Sequence, residues 1–161
     1  MTIIQSILGA IGWLILTFGA AWIGSRFLPD EWYQKLKKPR WNPPNKIFGP
    51  VWTLLYLLMA AAAWRIWKNY DFSMAVFPLL LFIVQLFLNT AWTWIFFKLH
   101  RSGMALAEIL VLLTVILAML AIFWVFDPLA GALLLPYTVW VIFAAFLTWT
   151  IWSMNRPEPG I

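Results

Sequence analysis

Five long apolar stretches, separated by more polar segments, fill most of this 161-residue chain. Each stretch is close to the ~20 residues that a helix needs to cross ~30 Å of hydrocarbon. The pattern therefore predicts an all-α fold, an integral membrane bundle of five transmembrane helices that forms a single domain over residues 1–161. The predicted spans cover about residues 3–25, 48–67, 75–97, 104–126 and 129–152.

The composition agrees with a membrane protein. Hydrophobic residues make up 64% of the chain and charged residues 11%, whereas soluble domains average roughly 25% charged residues. The chain has no cysteine, which excludes disulfides and thiolate metal sites. The first span lacks a basic leading segment and a small-residue cleavage site, so we expect a transmembrane helix rather than a signal peptide. Its small residues Ala20 and Gly24 predict close packing inside the bundle, with a dimer interface as the alternative.

The positive charges predict how the chain is oriented. Nine of the eleven lysines and arginines fall after the first span, after the third span or in the C-terminal tail. The other two, Arg65 and Lys68, lie at the far end of the second span and just after it. The positive-inside rule therefore predicts an N-terminus outside, with the first loop and the C-terminus in the cytoplasm. The expected partner is the lipid bilayer, and no nucleic acid is expected.

The loop between the first and second spans, residues 26–47, is long and rich in aromatic residues. Asp30 is placed to cap a short helix that carries Trp32 and Tyr33, and three prolines then break the helix. Long loops in compact folds commonly serve as lids or binding loops. The aromatic residues, including Trp41, argue against disorder. We therefore predict that this loop is the lid of a pocket.

Polar and aromatic side chains share one face on three of the spans. Trp52 and Tyr56 lie four residues apart, Asn89 belongs to a polar stripe with Gln85, and Ala144 follows Trp140 by four. Tyr56, Asn89 and Ala144 each lie about eight residues, or ~12 Å, from the cytoplasmic end of a span. Polar residues in a span tend to face the interior, so these faces predict a pocket beneath the loop. Interhelical hydrogen bonding is the alternative role for Asn89.

Other conspicuous residues have plainer interpretations. His100 has no metal-ligating neighbours in sequence and is expected to be a solvated loop residue. Glu108 is expected to pair with Arg101 or to extend toward the membrane surface, and Pro136 is expected to bend the fifth span. The tryptophans expected at the membrane interfaces or facing lipid are Trp13, Trp22, Trp64, Trp67, Trp124, Trp149 and Trp152.

The chemistry of the predicted pocket indicates a class of ligand. Aromatic walls favour a flat or bulky apolar molecule, and a rim with Lys38, Arg40 and Lys46 favours acidic groups at one edge. A porphyrin with propionates fits, as do other flat hydrophobic acids, while anionic lipid headgroups are the alternative partner of the cations. The chain has no glycine-rich phosphate loop, nucleophile elbow or HExxH motif. These residues therefore do not predict an enzyme.

Three motifs occur in order along the second, third and fifth spans. Together they resemble the signature of the TspO/MBR family, the tryptophan-rich sensory proteins and translocator proteins, also called peripheral-type benzodiazepine receptors. The resemblance covers essentially the whole chain. The motifs are Trp41-Asn42-Pro43-Pro44 with Phe48, Val51, Trp52 and Tyr56, then Asn89-Thr90-Ala91-Trp92, then Leu135 to Trp140 with Phe143 and Ala144.

The resemblance implies a bundle that binds tetrapyrroles such as protoporphyrin IX or haem, benzodiazepine-type ligands and, in some members, sterols. It also implies a homodimer, and a porphyrin that is a ligand rather than a required cofactor. Two departures weaken parts of this, since Thr148 stands where many members have Asn and no tyrosine closely precedes Arg156 in a sterol-type pattern. The ligand-binding residues that the motifs imply are Trp41, Asn42, Pro43, Trp52, Tyr56, Asn89, Trp92, Trp140, Phe143 and Ala144, with Tyr33 from the loop helix.

Three functions stay open at this point. The favoured one is a membrane receptor or sensor for tetrapyrroles. The second is a carrier that moves tetrapyrroles, lipids or sterols, which needs alternating access and has only the Pro136 bend to support it. The third is an enzyme that degrades bound porphyrin with light or oxygen, and the absence of cofactor motifs disfavours it.

Overall fold

The computed structural model describes residues 2–156 of the chain. Within these residues it contains five long helices, each long and apolar enough to cross a membrane. The predicted all-α architecture of five spans is therefore confirmed, with span ends that differ from the prediction by three residues at most. The helices are α1 (Ile3–Gly24), the short loop helix α2 (Glu31–Lys35), α3 (Asn45–Asn69), α4 (Phe72–Phe97), α5 (Ser102–Phe126) and α6 (Pro128–Met154).

Local sequence signals set the helix ends. Thr2 and Gln5 form a capping box at the start of α1, in which each side chain accepts a hydrogen bond from the other's backbone amide. The carboxylate of Asp127 accepts from the amides of Leu129 and Ala130 at 3.0 and 3.3 Å, which starts α6. Proline suits the first turn of a helix, and Pro128, directly after Asp127, is the first residue of α6. Pro44, whose backbone is extended, is itself the N-cap residue of α3.

Four of the helices form a ring, and the fifth lies outside it. The contacts run from α3 to α4, α5, α6 and back to α3, while α1 packs against α3 and α4. The short turns between α3, α4, α5 and α6 place sequential helices antiparallel. The main hydrophobic core fills the ring with large side chains such as Met59, Phe82, Met119 and Phe123. The α1 helix buries only Thr17 completely.

Small residues of α1 pack closely against the ring of helices. The Thr90 hydroxyl donates to the Ala20 carbonyl at 3.4 Å, and a methyl group at Gly24 would lie 3.8 Å from the Thr93 hydroxyl. The expected packing of Ala20 and Gly24 inside the bundle is thus confirmed. The outer face of α1 is apolar and exposed, and the homodimer stays a prediction.

Some tryptophans predicted at the membrane interface or facing lipid also contact a neighbouring helix. Trp22, Trp124 and Trp149 are exposed, as expected. The Trp64 indole donates to the Ser6 carbonyl at 2.9 Å, which joins α3 to α1. A tryptophan near a span end can therefore also hold two helices together, and the interface position of these residues stays a prediction. The half-buried tryptophans are Trp13, Trp64, Trp67 and Trp152.

The two ends of the bundle are held differently. One end, here called the turn end, carries residues 70–71 and Asp127. There the Arg65 guanidinium contacts the Asp127 carboxylate at 2.8 Å, and the Tyr70 hydroxyl donates to the Phe126 carbonyl. These contacts join the α3–α4 turn firmly to the α5–α6 turn.

The other end, here called the loop end, carries the 26–47 loop and the end of α6. The Lys37 amide donates to Asn155 Oδ1 at 3.0 Å, and Asn155 Nδ2 donates to the Lys37 carbonyl at 2.9 Å. The first loop and the end of α6 therefore share one end of the bundle, as the charge pattern predicts. The assignment of this end to the cytoplasm stays a prediction.

Candidate functional site

A buried chain of hydrogen bonds, here called the polar network, joins α3, α4 and α6. The Tyr56 hydroxyl donates to Asn89 Oδ1 at 3.1 Å, and Asn89 Nδ2 donates to the Tyr137 hydroxyl at 3.1 Å. The Tyr137 hydroxyl in turn donates to Gln85 Oε1 at 2.7 Å. The common depth predicted for Tyr56 and Asn89 is confirmed, because the two side chains touch. The interhelical role left open for Asn89 is also present.

Tyr137 is the residue of the network that the sequence reasoning missed. It is fully buried, whereas Pro136, which by helical spacing shares the predicted face of Trp140 and Ala144, is exposed. The buried face of α6 therefore centres one residue later than predicted. A tyrosine inside a span has a hydroxyl that needs a partner, and that requirement was the signal available.

Aromatic rings from α3 and α6 meet beside this network. The ring centroid of Trp52 lies 5.6 Å from Tyr56, 6.3 Å from Tyr137 and 6.4 Å from Trp140, and the two indoles are nearly perpendicular. Phe48 adds an edge-to-face contact to Trp140 at 6.0 Å. Such separations fall in the favourable range for aromatic pairs. Trp52, Tyr56, Trp140 and Phe143 thus lie together as predicted. Ala144 lies seven residues beyond Tyr137 on α6, ~10 Å closer to the loop end, so it does not share the depth of Asn89, which bonds to Tyr137.

The 26–47 loop closes over these rings. The ring centroid of Trp41 lies 5.4 Å from that of Phe146 and 5.8 Å from that of Phe143. Trp41 as a whole stays 44% exposed. Asn42 and Pro43, the next two candidate residues, are half-buried. The predicted position of the loop above the site is therefore present.

A second aromatic group lies toward α4 and α5. Trp92 stacks on Phe96 at 5.2 Å, and Tyr33 meets Phe96 and Phe97 edge to face. Burial raises the pKa of the Tyr33 phenol, so it stays a neutral hydroxyl at physiological pH. Trp92 packs both against the main hydrophobic core and against the cluster that contains Tyr33 and Phe96. The candidate residues therefore form two adjoining groups rather than one continuous wall.

Comparison with known proteins identifies the relatives of this chain. The TspO/MBR family model matches residues 10–153, which includes the loop and all or most of each long helix. The chain belongs to the TspO/MBR family. The resemblance recognised from the three motifs is thereby confirmed.

Named relatives of this TspO/MBR protein come from bacteria and mammals. It is 38% identical over 139 residues to Protein CrtK of Rhodobacter capsulatus, covering 86% of this chain and 87% of that protein. It is 39% identical over 152 residues to the tryptophan-rich sensory protein of Cereibacter sphaeroides, covering 90% and 94%. It is 36% identical over 156 residues to the human translocator protein, covering 94% and 92%.

Three polar atoms in the site of this TspO/MBR protein are buried without a hydrogen-bond partner among residues 2–156. They are the indole nitrogen of Trp92, the amide nitrogen of Gln85 and the amide oxygen of Asn42. Buried polar atoms are rarely left unpaired in native proteins. Two donors and one acceptor are therefore available to a polar group that enters the site.

The cationic rim is smaller than the sequence indicates. The Lys38 ammonium lies 4.5 Å above the Tyr33 ring and donates to two backbone carbonyls, so it fastens the loop. Arg40 and Lys46 are exposed and form no ion pair within the described residues. The charge available to an acidic ligand at this rim therefore comes from Arg40 and Lys46.

His100 is an exposed loop residue, as expected, and it also holds the first loop in place. Its Nε2 lies 2.8 Å from Asp30 Oδ2, and its ring stacks on Trp32 at 4.6 Å. Desolvation raises the pKa of Asp30, but the Tyr33 amide and His100 outweigh it and hold that pKa below its ordinary value. The contact therefore ties the loop helix α2 to the end of α4.

Glu108 also departs from the prediction. Neither carboxylate oxygen has a hydrogen-bond partner among the described residues, and both oxygens are buried. The expected pair with Arg101 and the expected extension to the membrane surface are both wrong. Glu108 lies on a turn of α5 whose neighbours Ala105 and Ile109 are buried, so the side chain follows them inward. Groups of three His, Asp or Glu side chains that could hold a metal do not occur in residues 2–156.

Proposed function

We propose that this TspO/MBR protein is a membrane receptor that binds a tetrapyrrole, protoporphyrin IX or a similar flat hydrophobic acid, between α3, α4 and α6. The observation that carries the proposal is the meeting of Trp52 and Trp140 beside the polar network and beneath the loop. The names of the relatives, sensory protein and translocator protein, support a role as membrane sensor or translocator.

The chemistry of the site matches the two parts of such a ligand. Indole and phenyl faces offer large apolar surfaces to a flat macrocycle. The unpartnered donors of Trp92 and Gln85 suit an acceptor atom buried with the macrocycle. The exposed guanidinium of Arg40 and ammonium of Lys46 suit carboxylates that stay at the loop end.

Binding requires the aromatic rings to separate. Trp52 and Trp140 now contact each other, and Trp41 packs on Phe143 and Phe146. We propose that the rings separate at the loop end, because the 26–47 loop lies over them there and is attached by contacts outside the main core. The turn end is held by the Arg65–Asp127 ion pair. We propose that the ligand enters beneath the loop and that loop movement reports binding.

A spectroscopic titration tests this proposal. Protoporphyrin IX is added to the purified protein in detergent, and the shift of its main absorption band is followed. We expect Trp140→Ala to raise Kd by about tenfold, which corresponds to ~1.4 kcal/mol of lost aromatic contact. Trp149→Ala on the same helix is the control, since Trp149 is 49% exposed on the outer surface. Equal affinity in the wild type and both variants would remove the proposed site.

The same preparation separates the receptor from the carrier and the enzyme. A carrier needs both ends to open in turn, and the ion pair at the turn end favours a receptor. We expect porphyrin flux into proteoliposomes no faster than into empty liposomes. For the enzyme, we expect the absorption band of the illuminated complex to fade no faster than that of free porphyrin. Loss of band intensity that depends on Trp52 or Trp140 would favour catalysis instead.

A further inference from the structure

A cavity of about 700 Å³ opens at the turn end, on the far side of the bundle from the proposed tetrapyrrole site. It lies between the beginning of α1, the end of α3 and the beginning of α4. A second cavity of about 300 Å³ continues from it toward the middle of α1. Both cavities are lined by Gly9 and Trp67, so together they form one groove, here called the α1 groove.

The α1 groove changes character along its length. Its outer part is lined by apolar residues such as Leu8 and Phe72 together with polar ones, among them Gln5, Lys68, Asn69 and Asp71. Its inner part is lined by Gly9, Gly12, Trp13, Leu16 and Trp67. The distance along α1 from Gln5 to Leu16 is ~16 Å at 1.5 Å per residue. That is about half of a ~30 Å hydrocarbon core, so the groove extends through one leaflet.

Glycines give the groove its depth. A methyl group at Gly9 would overlap the Trp67 ring, with one ring carbon 1.9 Å away. Because Gly9 has no side chain, the Trp67 indole can lie directly against the backbone of α1. At Gly12 a methyl group would meet no heavy atom within 4 Å, so the wall there is recessed and open.

Among residues 2–156, the charged side chains that line the mouth of the groove are one cation and one anion. Arg65 and Asp127 pair with each other at 2.8 Å. Lys68 and Asp71 line the groove, and neither forms an ion pair within residues 2–156. A mouth that offers one ammonium and one carboxylate complements a headgroup that carries one phosphate and one ammonium.

We propose that the α1 groove binds one zwitterionic phospholipid from the leaflet at the turn end. Its phosphate pairs with Lys68, its ammonium faces Asp71, and one acyl chain lies along Gly12 and Leu16 against Trp67. The charged residues line the outer part of the groove and the inner part is apolar. A lipid has the same order, with its headgroup at the membrane surface and its acyl chain inside. The site is separate from the tetrapyrrole site, and neither proposal depends on the other.

Native mass spectrometry of the detergent-purified protein tests the acyl-chain part. The probes are phosphatidylethanolamine, which is zwitterionic, and phosphatidylglycerol, which is anionic, each added at equal concentration. The wild type is expected to retain one phosphatidylethanolamine. Gly12→Phe is expected to fill the groove and reduce that retention at least tenfold. Gly19→Phe is the matched control, because a methyl group at Gly19 also meets nothing within 4 Å and Gly19 does not line the groove.

The headgroup part has its own variant. Lys68→Gln combined with Asp71→Asn is expected to reduce the ratio of retained phosphatidylethanolamine to retained phosphatidylglycerol at least threefold. Lys98→Gln, an exposed cation at the loop end, is expected to keep that preference. If Gly12→Phe does not fold, Leu16→Trp blocks the same inner part and carries the same expectation.

Several results would overturn the proposal. One is equal lipid retention by the wild type, Gly12→Phe and Gly19→Phe. Another is a wild type that holds phosphatidylglycerol as well as phosphatidylethanolamine. A third is a dimer that Gly12→Phe dissociates without any change in bound lipid, since a second copy of the chain would then be what covers the groove.

Discussion

At the scale of single residues, the hydroxyl of Tyr137 holds two of the hydrogen bonds of the polar network. It accepts from Asn89 and donates to Gln85, while Tyr56 contributes one bond at the other end. Because Asn89 and Gln85 are buried, losing this oxygen leaves two buried groups without their partner. Tyr137 therefore fixes α6 against α4 at the depth of the proposed ligand.

Replacing the two tyrosines by phenylalanine gives a graded prediction. Tyr56→Phe removes one bond and is expected to cost ~0.6 kcal/mol of unfolding free energy, the average for interhelical bonds in membranes. Tyr137→Phe removes two bonds and is expected to cost about twice as much. Thermal unfolding in detergent measures both. A Tyr137→Phe variant as stable as the wild type would show that the network does not hold the helices together.

The sequence identified Asn89 and Tyr56 because each is a polar group at an informative position in an apolar span. It failed for Glu108, whose partner cannot be found by counting positions along one helix, since burial depends on which neighbour packs against that turn. It failed for Tyr137 because proline and tryptophan in the same segment drew attention to the adjacent face. Contacts between helices decided both cases, and sequence spacing does not contain them.

At the scale of elements, the 26–47 loop behaves as a separate part fastened at four places. Asp30 and His100 join it to the end of α4, and Tyr33 packs on Phe96 and Phe97. The two bonds of Asn155 join the loop to α6, and Trp41 packs on α6. Each fastening is local and none belongs to the main core. The loop can therefore move while the ring of helices keeps its packing.

The Asp30–His100 contact makes loop docking sensitive to acid. The pKa of Asp30 is lowered in the folded protein, so its stabilising contribution is complete above the ordinary value of 3.8 and is lost as the pH falls below that value. We expect a spin label on Lys35→Cys to become more mobile between pH 5 and pH 3. The chain has no cysteine of its own, so the label is specific.

Asp30→Asn is the control for that measurement. This variant keeps a helix-capping side chain but has no carboxylate to titrate. Its label is expected to show the same mobility at pH 5 and pH 3. A wild-type label with equal mobility at both pH values would show that the contact does not fasten the loop.

The long helices were predictable because each apolar run has the length of a membrane span, and prolines and capping residues mark their ends. The short α2 was predictable from Asp30, whose carboxylate accepts from the Tyr33 amide at 3.3 Å. The position of α1 outside the ring was not predictable. Its sequence is as apolar as that of the others, and only the contacts show that α3 and α4 already pack together.

At the scale of the whole molecule, the bundle is asymmetric from end to end. The turn end is held by the Arg65–Asp127 pair and carries few charges, while the loop end carries most of the cations. The charge distribution predicts that the loop end faces the cytoplasm. A ligand that enters beneath the loop would then arrive from the cytoplasmic side.

Cysteine labelling tests this orientation. In intact cells, a membrane-impermeant maleimide is expected to label Ser73→Cys at the turn end and to leave Lys35→Cys unlabelled until the membrane is opened. Both positions are exposed in the folded protein, so burial does not explain a difference. The opposite labelling pattern would invert the predicted topology.

The location of a bound porphyrin is the most direct measurement of all. We propose a structure of the protein in complex with protoporphyrin IX, determined in a lipid environment. The macrocycle is expected between Trp52 and Trp140, on the loop-end side of the polar network, with Trp41 moved away from Phe143. A macrocycle in the α1 groove or on the outer surface, with the Trp52–Trp140 contact unchanged, would contradict a receptor site between α3, α4 and α6.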